Sequence, residues 1–197
     1  MLKLNLGKRL CAALTGAALL VAMTVSGTAA AAPGKVLVAF YSATGSTARV
    51  AEIIARQTGG ELFEIKAEPA YSTEDLDYRD PKSRVSQEYA DASRREVGLA
   101  ETQVPNFEDY DTVFVGYPIW WAIAAWPVST FVKAQDFGSK KVYPFCTSAS
   151  SPLGESDVLL QKQARGGQWQ PGRRFVSGTG EDQVSRWLQD LGFRGAP

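Results

Sequence analysis

Residues 36–47 read Val-Leu-Val-Ala-Phe-Tyr-Ser-Ala-Thr-Gly-Ser-Thr and carry the strongest structural signal in the chain. The apolar half, residues 36–41, predicts a buried strand, and helix-like spacing begins near Ala48. The small residues between them, 42–47, therefore form a loop that leads into a helix (the first loop). A helix start presents free N–H groups and the positive end of the helix dipole, which suits an anion. Because this loop has no lysine and neither common nucleotide-loop pattern, we predict a monophosphate site made of amides and hydroxyls.

Two further loops follow strand-like runs in the same way. Residues 112–116 predict a buried strand that leads into Tyr-Pro-Ile-Trp-Trp at 117–121 (the Trp loop), whose aromatic rings suit a flat ligand. Residues 141–145 predict another strand, which leads into Cys-Thr-Ser-Ala-Ser-Ser at 146–151 (the third loop). In an open parallel sheet, ligands bind outside the carboxyl ends of the strands, where the strand order reverses. We therefore expect the three loops to form one site.

Taken together, the three loops resemble those of the flavodoxin family, in particular members with Gly-x-Pro-Ile-Trp-Trp after the third strand and Phe-Cys-Thr-Ser after the fourth. The resemblance covers residues 35–193. It implies a three-layer α/β fold around a doubly wound, five-stranded parallel sheet with strand order 2-1-3-4-5, and a noncovalently bound FMN. The chain departs from the family pattern at Ala149-Ser150, where such proteins often have a pair of glycines.

The resemblance implies which residues would contact the cofactor. The phosphate would be surrounded by Ser42, Thr44, Gly45, Ser46 and Thr47, the isoalloxazine ring would be lined by Pro118, Ile119, Trp120 and Trp121, and the pyrimidine end would meet backbone amides of Thr147, Ser148, Ala149 and Ser150. Taken alone, the first loop could also be a plain helix cap, since serine and threonine are favoured there. The two tryptophans could be core residues, but neighbours on an extended segment face opposite ways, so at least one should meet ligand or solvent.

Four other side chains, one arginine, two tryptophans and one cysteine, have residue types that could serve either function or structure. Arg49, in the first turn of the predicted helix, either reaches the phosphate or is solvated. Trp126 and Trp187 occupy helical positions and are predicted to pack in the core. Cys146 lies at a strand end with no histidine or lysine beside it to lower its thiol pKa, so we expect an inert thiol.

Residues 1–31 have the pattern of a secretory signal peptide. Three cations lie near the start, an apolar core spans 10–25, and three alanines at 29–31 provide a small-residue exit. The apolar run is shorter than the roughly 20 residues of a spanning helix. We therefore predict cleavage after Ala30 or Ala31, export to the periplasm or the extracellular space, and no stable membrane anchor after cleavage. An uncleaved anchor is the alternative, and the export route stays open.

The composition of the remaining chain limits its chemistry. Removing 31 of the 197 residues leaves 166 (residues 32–197), which is a single-domain length. Because the first 31 residues hold three of the 21 cations and no acid, 18 basic residues face 21 acidic ones, which does not favour nucleic-acid binding. The sequence has no histidine, which excludes Ser-His-Asp and Cys-His hydrolase sites, imidazole zinc sites and histidine-ligated haem. No metal site is predicted, and a bound cofactor is the economical source of chemistry.

Strand and helix patterns alternate along the chain, as expected for a parallel sheet with crossover helices. The predicted strands are 36–41, 62–65, 112–116, 141–145 and 174–176, and the predicted helices are 48–57, 126–134, 156–165 and 181–191. Residues 68–105 interrupt this rhythm with a long polar stretch (the insertion), which we expect to be partly helical from Asp80-Pro81 onward. The insertion is either a lid or partner surface beside the cofactor, or a solvated segment packed on the sheet edge.

Three functions are compatible with these patterns and with the resemblance to the flavodoxin family. The first is an exported electron carrier that exchanges electrons with a redox partner protein through FMN. The second is a small FMN-dependent NAD(P)H:quinone-type reductase with a quinone-like acceptor, which predicts saturable turnover by the purified protein. The third is a flavin-free scaffold that acts as a binding module, which predicts that the protein stays colourless when FMN is added. The intact first loop argues against the third.

Overall fold

The computed structural model describes residues 34–193. The predicted signal peptide and its cleavage site lie outside these residues. Within them the elements are β1 (Lys35–Phe40), α1 (Ser46–Thr58), β2 (Glu61–Glu64), α2 (Arg84–Ala90), β3 (Tyr110–Trp120), β4 (Ile123–Ala124), α3 (Trp126–Ala134), β5 (Asp136–Ser148), α4 (Ser156–Gln163), β6 (Arg165–Trp169), β7 (Arg173–Val176) and α5 (Glu181–Asp190), with short 3-10 helices at Ala92–Arg95 and Phe107–Asp109. No helix of the described part is long and apolar enough to cross a membrane.

The sheet is parallel along its main path, in the order β2-β1-β3-β5-β6. The α/β class and the parallel sheet are confirmed, but the count of five strands is wrong, because the described residues form seven. The fifth position holds two strands: β6 pairs with the first half of β5, and β7 pairs with its last residues, Phe145 to Ser148. The sequence pattern missed β6 because Gly166 and Gly167, both with positive φ, interrupt any strand signal.

The third strand is longer than its apolar run predicts. It continues past Gly116 to Trp120 and turns back through β4, so that Trp120 pairs with Ile123. The two residues of this turn, Trp121 and Ala122, have φ values of 44° and 66°. Positive φ at both positions is the pattern of a type I′ hairpin turn, which strongly favours Asn-Gly. The sequence therefore contains no local signal for this hairpin.

Two hydrophobic layers enclose the sheet. Along β1, Val36, Val38 and Phe40 pack against α1 and α5, whereas Leu37 and Ala39 pack on the opposite face. This alternation follows from the two-residue period of a strand, and burial of both faces explains why β1 is continuously apolar. Trp126 and Trp187 are both buried, one in each layer, as predicted. The result is a three-layer arrangement with the sheet in the middle.

The insertion is partly helical, but its helix does not begin where the sequence suggested. Helix α2 begins at Arg84, and its cap is Ser83, whose hydroxyl accepts a hydrogen bond from the Ser86 N–H at 3.3 Å. Asp80 instead stabilises a preceding turn by accepting a hydrogen bond from the Lys82 N–H at 2.8 Å. Both residue types can cap a helix, and their spacing alone did not show which one does so. The predicted start at Asp80-Pro81 is therefore wrong.

Candidate functional site

The three predicted loops lie side by side at the carboxyl edge of the sheet. Phe40, at the end of β1, is in register with Gly116 of β3, and Gly116 is in register with Phe145 of β5. Further along, Pro118 is in register with Thr147. The strand order therefore places the Trp loop between the first and third loops, which is where doubly wound folds bind ligands.

The first loop makes a tight turn into α1. Gly45 has φ 85°, and a Cβ placed there would meet nothing within 4 Å, so the position requires glycine for its backbone conformation and not for space. The Ala48 N–H donates to the Ser42 hydroxyl at 3.1 Å, and the Arg49 N–H makes the first helical bond, to the Gly45 carbonyl at 3.0 Å. The N–H groups of Ser46 and Thr47 precede this bond and remain available to a ligand.

A buried hydrogen bond joins the first loop to the third. The hydroxyl oxygens of Thr47 and Thr147 lie 2.8 Å apart, and the two residues are only 1% and 3% exposed. The side chain of Thr47 is thus engaged within the protein, which leaves its backbone amide as the group that an anion would meet. The bond couples two loops that lie 100 residues apart in sequence.

The two neighbouring tryptophans of the Trp loop make different contacts. Trp120 is half-buried and lies edge-on to three rings, with centroid distances of 5.6 Å to Tyr41, 5.3 Å to Tyr71 and 5.6 Å to Trp126. Such edge-to-face contacts hold a ring in a defined orientation. Trp120 therefore has a supported position at the end of β3.

Trp121 instead connects the Trp loop to the insertion. Its ring stacks on Tyr89 of α2 at 4.4 Å and 9°, and is nearly parallel to Trp126 at 6.3 Å. The guanidinium of Arg95 lies over the Trp126 ring at 4.9 Å and donates to the Glu88 carbonyl at 2.9 Å. Both tryptophans contact Trp126 and pack against the same core cluster. The prediction of opposite orientations assumed an extended segment, but Trp121 lies in the turn after β3 with φ 44°.

Tyr71, Arg84 and Glu88 of the insertion form a network that contacts Trp120 through Tyr71. The sequence analysis did not predict it. The Glu88 carboxylate, 5% exposed, accepts hydrogen bonds from the Tyr71 hydroxyl at 2.6 Å and from Arg84 Nε at 2.8 Å. Arg84 also lies over the Tyr71 ring at 3.9 Å. The pKa of Tyr71 is raised well above its usual value, mainly by burial and secondly by the hydrogen bond to Glu88. Its hydroxyl therefore stays protonated. Only the Arg84–Glu88 spacing of four residues was visible in the sequence.

The third loop is held by an arginine from β7. Arg174 Nε donates to the Ser148 hydroxyl at 2.8 Å, and its terminal nitrogen lies 3.4 Å from the Ala149 carbonyl oxygen. Ala149 and Ser150 are exposed at the loop tip. Cys146, just before them, is fully buried, and burial raises its thiol pKa to about 12. The thiol is therefore protonated and unreactive at neutral pH.

The chain belongs to the flavodoxin family, whose model matches residues 35–191. It is similar to two solved structures of proteins provisionally called flavoproteins, from Bacteroides eggerthii and Bacteroides uniformis. Both are 37% identical in sequence over 80% of this chain, with TM-scores of 0.72 and 0.73, and the matches cover 98% and 99% of those chains.

A more distant structure shows the same fold. It is a flavoprotein from Lactobacillus acidophilus in complex with FMN, with 23% identity and a TM-score of 0.56 over 78% of this chain and 98% of that one. No curated protein matches the sequence significantly.

Proposed function

We propose that this protein binds FMN at the carboxyl edge of the sheet and transfers electrons through it. The observation that carries the proposal is the first loop, where Gly45 turns the chain so that the amides of Ser46 and Thr47 precede the first helical hydrogen bond of α1. These amides and the helix dipole suit a phosphate monoester. Membership of the flavodoxin family and the FMN complex of the Lactobacillus acidophilus relative support the choice of FMN.

The other two loops would hold the flavin ring. Trp120 provides an aromatic surface whose orientation is set by Tyr41, Tyr71 and Trp126. The third loop, fixed by Arg174, would present backbone amides to the polar end of the ring. The predicted residues Pro118 and Ile119 are half-buried in the Trp loop and would line the same space. We assign these roles to the Trp loop and the third loop because the two loops lie next to each other at the carboxyl edge of the sheet.

Bound FMN supplies one- and two-electron chemistry, and the protein supplies position and electrostatics. The first loop contains no lysine, so within this loop the phosphate charge would be met by amide dipoles and hydroxyls. Arg84 is paired with the buried carboxylate of Glu88 and brings little net charge to Trp120. A phosphate held without a lysine and an aromatic wall beside the ring both disfavour additional negative charge on the ring. We therefore expect a low potential for the last reduction step of the bound flavin, which suits a protein that donates electrons.

The test is a titration of the purified protein with FMN, followed by visible absorption and tryptophan fluorescence. Wild-type protein is expected to take up one FMN with quenching of tryptophan emission. Trp120→Ala should weaken binding at least tenfold, because it removes the ring surface, while Trp187→Phe, on α5 in the opposite layer, should leave the affinity unchanged. Absence of FMN uptake by folded protein would refute the proposal and favour the binding-module alternative.

The choice between carrier and reductase is a kinetic one. A carrier should oxidise NADH or NADPH slowly without a protein partner, whereas a reductase should show saturable turnover with the purified protein and a quinone. We favour the carrier, because the tips of the first and third loops are exposed, so a ring held between these loops would be open to a protein partner. Saturable nicotinamide-dependent quinone reduction would overturn this choice.

We further propose that the protein is exported. The support is the cationic start, apolar core and alanine exit of residues 1–31. N-terminal sequencing of the protein recovered outside the cytoplasm should begin at residue 31 or 32. Recovery of the intact chain from the cytoplasmic fraction alone would contradict export.

A further inference from the structure

The turn after β3 holds two residues in a backbone conformation that their side chains disfavour. Trp121 and Ala122 have φ values of 44° and 66°. Residues with a Cβ are strained in this left-handed region, and a turn of this kind normally contains asparagine and glycine. Trp120 immediately precedes the turn and pairs across it with Ile123. The position of the Trp120 ring therefore depends on a turn that other parts of the protein must stabilise.

The insertion supplies a contact that stabilises this turn. The ring of Tyr89, on α2, stacks on the ring of Trp121 with a centroid distance of 4.4 Å and an interplanar angle of 9°. Stacked aromatic rings attract each other beyond the effect of the area that they bury. Tyr89 is 44% exposed, so the core does not require an aromatic residue at this position.

Helix α2 is itself held in place, which gives Tyr89 a defined position. Val85, one turn before Tyr89 on α2, is 2% exposed. The guanidinium of Arg95 donates hydrogen bonds to the backbone carbonyls of Glu88, at 2.9 Å, and of Tyr89. It also lies over the Tyr89 ring at 5.6 Å and over the Trp126 ring at 4.9 Å. Because Trp126 is a core residue of α3, Arg95 ties the end of α2 to the core of the protein.

The base of the insertion is fastened as well. Residues 66–68 and 98–100 run antiparallel, with a bridge between Ala67 and Leu99. Two backbone hydrogen bonds of 2.8 and 3.0 Å, one on each side of this bridge, join the two segments. The insertion is therefore fixed both at its base and where α2 meets the Trp loop. Such contacts favour a role in the cofactor site over that of a solvated segment.

We propose that Tyr89 is a positioning residue of the cofactor site: it stabilises the left-handed turn at Trp121 and Ala122 and thereby holds Trp120 where the flavin ring would pack. The identity of the ligand rests on the proposed function, whereas the effect of Tyr89 on the turn does not. Tyr89 acts through Trp121, because its ring stacks on Trp121 and not on Trp120.

The first experiment compares FMN affinities by titration, followed by visible absorption. Tyr89→Ala should weaken binding about threefold to tenfold, which corresponds to the loss of one aromatic pair. Tyr89→Phe should bind FMN like the wild type, because the stack uses the ring and not the hydroxyl. Tyr78→Ala is the matched control, since Tyr78 is a 63% exposed tyrosine of the same insertion, and it should have no effect.

A rescue separates a role in the turn from a general loss of stability. Glycine adopts the left-handed conformation without strain, so Ala122→Gly added to Tyr89→Ala should restore most of the lost affinity. Ala122 is exposed, so its replacement by glycine removes no core contact. A variant that bound FMN weakly only because the insertion was less stable would not recover through a substitution in the turn.

The second experiment needs no FMN. The indole N–H of Trp120 is followed by NMR in isotope-labelled protein and is assigned with Trp120→Phe. In Tyr89→Ala its resonance should shift or broaden, because Trp120 loses its fixed position, and the added Ala122→Gly should return it towards the wild-type value. Circular dichroism verifies that each variant is folded. If the alanine variant is unfolded, Tyr89→Leu, which is apolar but has no ring, takes its place in both experiments.

Three results would overturn the inference: an FMN affinity of Tyr89→Ala equal to that of the wild type, no recovery on addition of Ala122→Gly, or an unchanged Trp120 resonance in Tyr89→Ala. Absence of FMN uptake by the wild type contradicts the proposed function alone, and the Trp120 resonance then decides this inference. FMN uptake with equal affinity in wild type and Tyr89→Ala contradicts this inference alone.

Discussion

The hydrogen bond between Thr47 and Thr147 allows a sharp test of how the first and third loops are coupled. Both residues are almost fully buried, and their hydroxyl oxygens lie 2.8 Å apart. Replacing either residue by valine keeps the side-chain shape but leaves the other hydroxyl buried without its partner. Such an orphaned group costs about 1–3 kcal/mol. We therefore expect each single variant to lose about 2 kcal/mol in the free energy of unfolding.

The double variant should lose less than the sum of the single variants. With both hydroxyls replaced by methyl groups, no polar group is left unpaired, and burial of the new methyls partly offsets the lost bond. We expect the double variant to be destabilised by no more than about 1 kcal/mol, which corresponds to an interaction energy of about 3 kcal/mol and lies at the upper end for contacting residues. Because the bond joins two of the loops that are proposed to hold FMN, the single variants should also bind FMN less tightly.

The assay is urea unfolding followed by tryptophan fluorescence, with the slope of the transition compared among variants. Thr112→Val is the matched control: Thr112 is also buried, but its hydroxyl makes no hydrogen bond within residues 34–193. It should change the free energy of unfolding little. If the effects of the two single variants simply add in the double variant, the hydrogen bond does not couple the loops and the reasoning fails.

Three further predictions follow from individual residues. Gly45→Ala should lower the free energy of unfolding by about 1–2 kcal/mol, because a residue with a Cβ is strained in the left-handed conformation of this position, and it should also weaken FMN binding. Unchanged stability and affinity would show that the turn tolerates a side chain. Between pH 9 and 10, wild type should lose up to about 1.4 kcal/mol more of its free energy of unfolding per pH unit than Cys146→Ser does. The reason is that the thiol ionises near pH 9 in the unfolded chain, whereas its pKa in the folded protein is about 12. Equal pH profiles of the two proteins in urea unfolding would contradict this. Tyr71→Phe should cost about 1–3 kcal/mol and shift tryptophan emission, by leaving the Glu88 carboxylate with one bond fewer, whereas Tyr78→Phe, at an exposed position, should change neither.

The parts of the fold that could be predicted are those with a strong local pattern. The first strand is apolar on both faces because it is buried on both faces, and this makes it visible as an uninterrupted run. Strand β6 contains two glycines with positive φ and shows no such run, so only its first residue, Arg165, was assigned, as the end of a helix, and the rest of the strand was not predicted. The start of α2 was misplaced because two capping residues stand three positions apart and only one is used.

The candidate site, like the fold, could be predicted only in part. The loops themselves were visible, since each follows a strand-like run and their parallel order places them at one edge. The network of Tyr71, Arg84 and Glu88 was not, because the insertion that contains it has no periodic pattern strong enough to show which of its polar groups are buried. Arg174 was also missed, because its role depends on the pairing of β7 with the end of β5.

The sequence by itself determined the alternation of strands and helices, the tight turn at Gly45 before α1 and the aromatic residues that follow Gly116, because each depends on residues close together in the chain. The tertiary structure alone decided that Thr47 bonds to Thr147, that Trp121 stacks on Tyr89 of α2, and that Tyr41 and Tyr71 line one cavity. These contacts join segments separated by tens of residues. Their partners are selected by strand order and by the packing of the insertion, and neither of these is encoded in a local hydrophobic pattern.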